Sequence, residues 1–111
     1  IMADRLAVFA HALVDSGATG IYNVVGDERI SKYDFALRLA ECFGFSKALL
    51  QRGKIAASQL SATRPRDMSL DNRKARQRLG TPLGGVAEHL LLLQEQARAG
   101  RRAELLAAVS E

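Results

Sequence analysis

Cysteine and long hydrophobic runs are scarce in this sequence, and each scarcity excludes a class of protein. A single cysteine, Cys42, excludes an internal disulfide and a cysteine-rich metal cluster, and its apolar helical position is typical of a reducing compartment. Apolar runs such as Leu90 to Leu93 are far shorter than the roughly 18 residues of a membrane helix. We therefore expect a cytoplasmic protein with no membrane segment.

Proline, tryptophan and histidine are also rare. With two prolines, 48% hydrophobic and 25% charged residues, the composition is that of a globular protein, and 111 residues suit one domain. His11 and His89 lie far from each other and from any cysteine or paired carboxylate at ligand spacing. We expect no metal site and interpret both as surface or helix-packing histidines.

Positive charge is in excess, and it is concentrated in one part of the chain. The net charge is +4, and residues 64–78, here called the basic segment, hold six lysines and arginines against two aspartates. The six cations are Arg64, Arg66, Arg73, Lys74, Arg76 and Arg78. A ligand, if it is anionic, is expected there.

The first third of the chain predicts a helix followed by a strand. Apolar residues recur at helical spacing from Asp4 to Asp15, and Gly17 is a suitable stop. Gly20 to Gly26 is a glycine-bracketed run of β-branched and aromatic residues, which is typical of a buried strand.

A second helix is predicted to begin after Ser31, because Asp34 stands three positions later as in a capping box, and to end at Gly44. From Ser46 to Thr63 the apolar pair Leu49-Leu50 predicts a brief strand, followed by a loop or one helical turn.

The remainder predicts three helices. Arg64-Pro65 disfavours helix at Arg64, whereas Asp71 is a good N-cap for a basic helix from Asn72 to Leu79 that Gly80 closes. A longer helix is expected from Val86 to about Arg98, and a short terminal helix after Gly100 that passes through Leu105 and Leu106.

Three patterns in this order carry a family resemblance: GIYNVVG at 20–26, SxYxFA at 31–36, and RPRDMSLDxxK at 64–74, with Leu79-Gly80 after it. The set resembles the carboxy-terminal region of extended short-chain dehydrogenases/reductases, closest to the dTDP-4-dehydrorhamnose reductases, over roughly residues 4–95. The resemblance implies an α/β fold: a mostly helical piece with one or two short parallel strands, forming the carboxy-terminal part of a Rossmann-type NAD(P)-binding enzyme.

The resemblance also implies a division of labour. In the family an amino-terminal Rossmann part holds NAD(P)H and a Tyr-x-x-x-Lys pair transfers the proton, whereas the carboxy-terminal part closes over a sugar nucleotide. Here Tyr22 and Tyr33 are followed four residues later by Gly26 and Leu37. We expect one substrate-binding region, 1–111, with no catalytic or cofactor-binding residues. It should be inactive alone and associate with the Rossmann part or with itself.

Arg64 is the substrate-binding residue that the resemblance implies, as a contact to the diphosphate, and Arg66 is a weaker candidate. A planar guanidinium pairs bidentately with phosphate oxygens. The alternative for Arg64 is a structural ion pair with Asp67 or a contact to a carbonyl. For the cations at 73–78 we expect a solvated helix face, and for Tyr22 and Asn23 a buried strand residue and a turn-supporting amide.

Other functions remain open from the sequence. A nucleotide-sugar epimerase or dehydratase would share the same segment. A small basic nucleic-acid-binding domain is disfavoured by composition, because only 5% of the residues are aromatic and these fall on predicted core positions. A helical interaction module would suit the amphipathic stretch from Val86 to Ala97.

Overall fold

The computed structural model describes residues 1–54 and 61–109, and its regular structure there is helical. These described residues form five α-helices and one 3₁₀ turn, Lys47–Leu49. The helices are α1 (Ala3–Asp15), α2 (Lys32–Phe43), α3 (Arg73–Leu79), α4 (Val86–Arg98) and α5 (Arg101–Val109). Helix α1 packs on α3, and α4 packs on both α2 and α5. All five predicted helices are therefore confirmed to within a few residues.

Local capping signals set the helix ends. The Ser31 hydroxyl oxygen accepts a hydrogen bond from the Asp34 amide at 3.0 Å and donates one to the Asp34 carboxylate at 2.7 Å, which confirms the predicted cap of α2. Asp71 accepts a hydrogen bond from the Arg73 amide at 2.9 Å, but α3 begins at Arg73 with Asn72 at its N-cap position, so the predicted N-cap stands one place too early. Gly44 and Gly80 close α2 and α3 in the left-handed conformation.

The core lies where α1, α3 and the loop before α4 meet. Phe9 of α1, Ala75 of α3 and Leu83 of the loop form a buried cluster, against which Tyr22 and Val24 pack. Ala75 is completely buried, since its small side chain lets α3 approach α1 closely. The apolar residues of α1 are buried only in part: Phe9 and Leu13 are buried, whereas Val14 is 76% exposed.

The predicted α/β fold with one or two parallel strands is wrong for the described residues, which contain no strand. Residues 20–26 are extended, but side chains rather than a neighbouring strand bond their backbone. Lys74 Nζ donates to the Ile21 carbonyl at 2.8 Å, and Asn72 Nδ2 donates to the Val25 carbonyl at 2.9 Å. The β-branched run is therefore used for packing on the core and not for pairing in a sheet.

The second predicted strand, at Leu49-Leu50, is also wrong. The 3₁₀ turn begins where the Ser46 hydroxyl accepts a hydrogen bond from the Ala48 amide at 3.3 Å, and it ends at Leu49. Leu49 is 82% exposed. A strand residue facing a core would be buried. The later part of the loop or helical turn predicted up to Thr63 includes residues 55–60, which lie outside the described residues.

No helix within the described ranges has the length and apolar character needed to cross a membrane.

Leu83 is 1% exposed and provides the sharpest test of this packing. Replacing Leu83 by Ala should lower the free energy of unfolding by about 2–5 kcal/mol, since a buried methyl cluster is lost and a cavity remains. Urea unfolding followed by circular dichroism measures the change. Leu49→Ala is the control, because this leucine is exposed and should change stability by less than about 0.5 kcal/mol. Equal losses in the two variants would contradict the packing.

Candidate functional site

The segment that carries the predicted ligand residues is an exposed loop. Residues 61–70, here called the arginine loop, have no helix or strand, and every one of them is exposed. Within the described part of the chain, neither Arg64 nor Arg66 has a hydrogen bond or an ion pair. The alternative interpretation of Arg64, an ion pair with Asp67, is not what the structure shows, because Asp67 pairs with Arg29 instead.

Asp67 organises the loop from within. Its carboxylate accepts hydrogen bonds from the Ser69 hydroxyl at 2.6 Å and the Ser69 amide at 2.9 Å, which closes a tight turn. Arg29 Nη2 donates to the other carboxylate oxygen at 2.7 Å. The Ser69 hydroxyl, the Ser69 amide and Arg29, in that order, hold the pKa of Asp67 far below its usual range, so the carboxylate is ionised throughout the neutral range.

The other cations of the basic segment lie on α3, where they are exposed as predicted but also tie the helix to its neighbours. Arg73 pairs with Asp71. Lys74 reaches the Ile21 carbonyl and lies 4.3 Å from the centroid of the Tyr22 ring. Arg78 donates to the carbonyl and hydroxyl of Ser16 at the end of α1. Lys74 and Arg78 thus link α3 to residues 20–26 and to the end of α1.

A shallow groove of about 360 Å³ runs along the same helix and is basic in composition. Its lining residues are Arg73, Arg76, Gln77, Gly80, Thr81 and Pro82. Arg73 is already neutralised by Asp71, and Arg76 lies 4.0 Å from a carboxylate oxygen of Asp27. The groove therefore offers an anion less uncompensated charge than the arginine loop does.

Asp27, which the sequence analysis did not single out, anchors the frame beside the loop. One carboxylate oxygen accepts from Asn72 Nδ2 at 2.7 Å, and the other accepts from the Leu83 and Gly84 amides at 3.0 and 2.9 Å. Burial raises the pKa of Asp27, but the bonds from Asn72, Leu83 and Gly84 together with the charge of Arg76 outweigh it, and the net pKa is lowered. The ionised form is thus the one that the fold stabilises.

Glu28 extends this anchor to two helices. Its carboxylate accepts from the Val86 amide at 3.2 Å, at the N-terminus of α4, and pairs with Arg38 of α2 at 2.6 Å. The Val86 amide first and then Arg38 lower the pKa of Glu28. The sequence does carry a signal for this anchor: two adjacent carboxylates directly follow the apolar run 20–26, before a helix that caps itself with Ser31.

The turn before α4 requires glycine at position 84. Gly84 has φ +91°, and a Cβ atom there would lie 2.8 Å from His89 Nε2. His89 is buried and donates from Nε2 to the Leu83 carbonyl at 2.9 Å, while Nδ1 accepts from the Met2 amide at 3.3 Å. It is a packing histidine, as predicted. No group of three or more histidine, cysteine or acidic side chains in the described ranges is arranged to hold a metal ion.

Asn23 and Tyr22 also have structural partners. Asn23 Nδ2 donates to the Asp71 carbonyl at 3.1 Å, which supports the turn into α3, and Tyr22 is half-buried against the core. The predicted turn-supporting amide is therefore confirmed, whereas Tyr22 packs from an extended segment and not from a strand.

Comparison with known protein families shows which family this chain belongs to. A family model described as the RmlD substrate binding domain matches residues 1–98. The chain belongs to this family. The match covers α1 to α4 together with the arginine loop, whereas α5 lies beyond it. No curated protein and no solved structure matches the chain. The resemblance read from the three sequence patterns is thus confirmed at the level of the substrate-binding domain family.

In this RmlD substrate-binding domain, Asp27→Asn tests the anchor. An asparagine amide would point a donor at the N–H groups of Asn72 or of Leu83 and Gly84, so the free energy of unfolding should fall by about 1–3 kcal/mol at pH 7. Because the folded-state pKa is lowered, the contribution of Asp27 is present above the ordinary aspartate pKa of about 3.9 and is lost as the pH falls through the lower folded value.

The difference between the native chain and Asp27→Asn should therefore be smaller at pH 3 than at pH 7, as measured by urea unfolding at each pH. The other carboxylates with lowered pKa values are common to both chains and cancel in this difference. Asp15→Asn, an exposed position at the end of α1, is the matched control and should change little at either pH. A difference that does not vary with pH would refute the ionised anchor.

Proposed function

We propose that this RmlD substrate-binding domain binds the diphosphate of a sugar nucleotide through Arg64, with Arg66 as a second contact. We further propose that it serves a cytoplasmic NAD(P)H-dependent reductase similar to the dTDP-4-dehydrorhamnose reductases. One observation carries the proposal beyond the family match. Of the six cations in the basic segment, the two in the arginine loop are those that lack a hydrogen-bonding or ionic partner in the described residues, whereas the four on α3 face such partners.

Unpaired guanidinium groups are suited to this task for a physical reason. A cation that is already paired must lose that partner before it binds phosphate, whereas Arg64 and Arg66 have no partner to lose among the residues that the structure describes. Each guanidinium can donate two parallel hydrogen bonds to the oxygens of one phosphoryl group. Two such groups, two residues apart, match the two phosphoryl groups of a diphosphate. Pro65 between them restricts the backbone and lowers the entropic cost of ordering the loop.

The cofactor that the resemblance implies does not fit the residues described here. Dinucleotide binding uses a glycine-rich turn between a strand and a helix, and residues 1–54 and 61–109 contain no strand. We therefore assign NAD(P)H to a separate Rossmann part and assign no catalytic residue to this chain. The role of the domain is to hold and orient the substrate.

A nucleic-acid-binding role through the two tyrosine rings is disfavoured by the cations that lie over them. Binding of single strands uses exposed aromatic rings on which bases stack. Here Lys74 lies over the ring of Tyr22, and Arg52 lies 4.9 Å from the ring centroid of Tyr33. Both tyrosine rings are already covered by cations of the domain itself.

The proposal predicts that dTDP-rhamnose gives saturation-transfer NMR signals with the chain and that Arg64→Ala weakens binding about tenfold or more, the effect of losing hydrogen bonds to a charged group. Arg66→Ala should weaken binding less. Arg102→Ala removes the same charge from α5, outside the family match, and should leave the affinity within about twofold.

Two results would contradict the proposal. One is the absence of transfer to the native chain at millimolar ligand. The other is equal affinity of the native chain and Arg64→Ala. A parallel titration with a short DNA duplex separates the classes, since salt-sensitive binding of the duplex without binding of the sugar nucleotide would support a nucleic-acid module instead.

A further inference from the structure

The arginine loop has little to hold it in place. All ten of its residues are exposed, so no buried side chain of the loop contributes to the core. Among the described residues, a single ion pair, from Arg29 Nη2 to Asp67 Oδ2 at 2.7 Å, is the one hydrogen-bonded or ionic link between residues 61–70 and the rest of the chain. Within the described residues, this pair is therefore the non-covalent contact that links the loop to the frame.

Both partners of the pair are fixed on their own sides. Arg29 follows Asp27 and Glu28, which are bonded to the turn before α4, and precedes Ser31, which caps α2. Asp67 is held in the turn that its carboxylate forms with Ser69. The pair thus joins a rigid point of the frame to the organising residue of the loop, one position after Arg66.

We propose that Arg29 is a positioning residue for sugar-nucleotide binding, which holds the arginine loop through Asp67 where Arg64 and Arg66 meet the diphosphate. This inference rests on the proposed function of the loop. Arg29 acts through Asp67 and does not itself contact the ligand.

The effect on binding expected from loss of the Arg29–Asp67 ion pair follows from the exposure of its two side chains. The side chains of Arg29 and Asp67 are 72% and 51% exposed, so water and salt weaken their attraction. Exposed pairs of this kind shift an equilibrium by about 1.4- to 5-fold. The ion pair is therefore expected to bias the position of the loop and not to lock it, and its loss should weaken binding by about 1.4- to 5-fold.

The sign of one substitution separates positioning from direct contact. If Arg29 and the loop attract the bound anion only through their charge, removing the negative charge of Asp67 should tighten binding, because a carboxylate near the anion repels it. If the pair positions the loop, Asp67→Asn should weaken binding despite that gain. Asparagine is a suitable replacement at this position because its carbonyl oxygen can still accept from the Ser69 amide, so the turn is retained while the ion pair is lost.

The binding test uses titration of the full chain with dTDP-rhamnose. Arg29→Ala and Asp67→Asn should each weaken binding about 1.4- to 5-fold, and the double variant should be no weaker than either, because both remove the same link. Arg29→Lys should restore part of the affinity. Tighter binding by Asp67→Asn, additive losses in the double variant, or unchanged affinity in Arg29→Ala would each overturn the inference.

A second measurement needs no ligand and keeps the inference separate from the proposed function. The ¹⁵N heteronuclear NOE at Ser69 and Leu70 should fall in Arg29→Ala, since the loop gains motion on the picosecond to nanosecond scale, and Arg29→Lys should restore it. Arg102→Ala should leave it unchanged. An unaltered NOE in Arg29→Ala overturns the positioning role, whereas failure of the proposed function would show in Arg64→Ala alone.

Discussion

The Asp27 carboxylate is the contact on which the arrangement of the helices depends. It accepts three hydrogen bonds, from Asn72, Leu83 and Gly84, and so joins the extended segment to the starts of α3 and α4. Only seven hydrophobic residues are buried in the described part of the chain, which makes the apolar core small. In a domain with so little buried apolar area, an ionised group that satisfies two backbone amides and a side-chain amide contributes a large share of what fixes one helix relative to the next.

Local signals in the sequence were sufficient to predict the helices but not to decide whether an extended segment pairs as a strand. The Ser31 cap of α2 and the glycine that ends it act within four residues of the helix boundary, so they can be read without knowledge of the fold. A strand needs a partner that the local sequence does not specify. The β-branched residues at 20–26 do indicate an extended, half-buried backbone, but Lys74 and Asn72, about fifty positions away, satisfy its carbonyl groups in place of a second strand.

The same non-local dependence limits what the sequence says about the site. Six cations in the basic segment look equivalent in a composition count, and the acceptors that engage some of them, such as the Ser16 and Ile21 carbonyls, lie 62 and 53 positions away. The family resemblance pointed to Arg64 through a motif. The contacts in the structure indicate the same loop independently of the motif, because they engage the cations of α3 and leave Arg64 and Arg66 unpaired within the described residues.

Under the proposed function, a rigid frame beside a weakly tethered loop of small net charge favours recognition at short range. The arginine loop carries two arginines and one aspartate, so its net charge is only +1 and its field is weak beyond a screening length of about 10 Å. Such a loop does not concentrate anions from far away, in contrast to a cluster of unopposed lysines. An anion gains affinity only when it meets the guanidinium groups directly and in the correct geometry. In the proposed function, discrimination would then rest on the directional hydrogen bonds of Arg64 and Arg66, since a ligand with two adjacent phosphoryl groups can satisfy both at once.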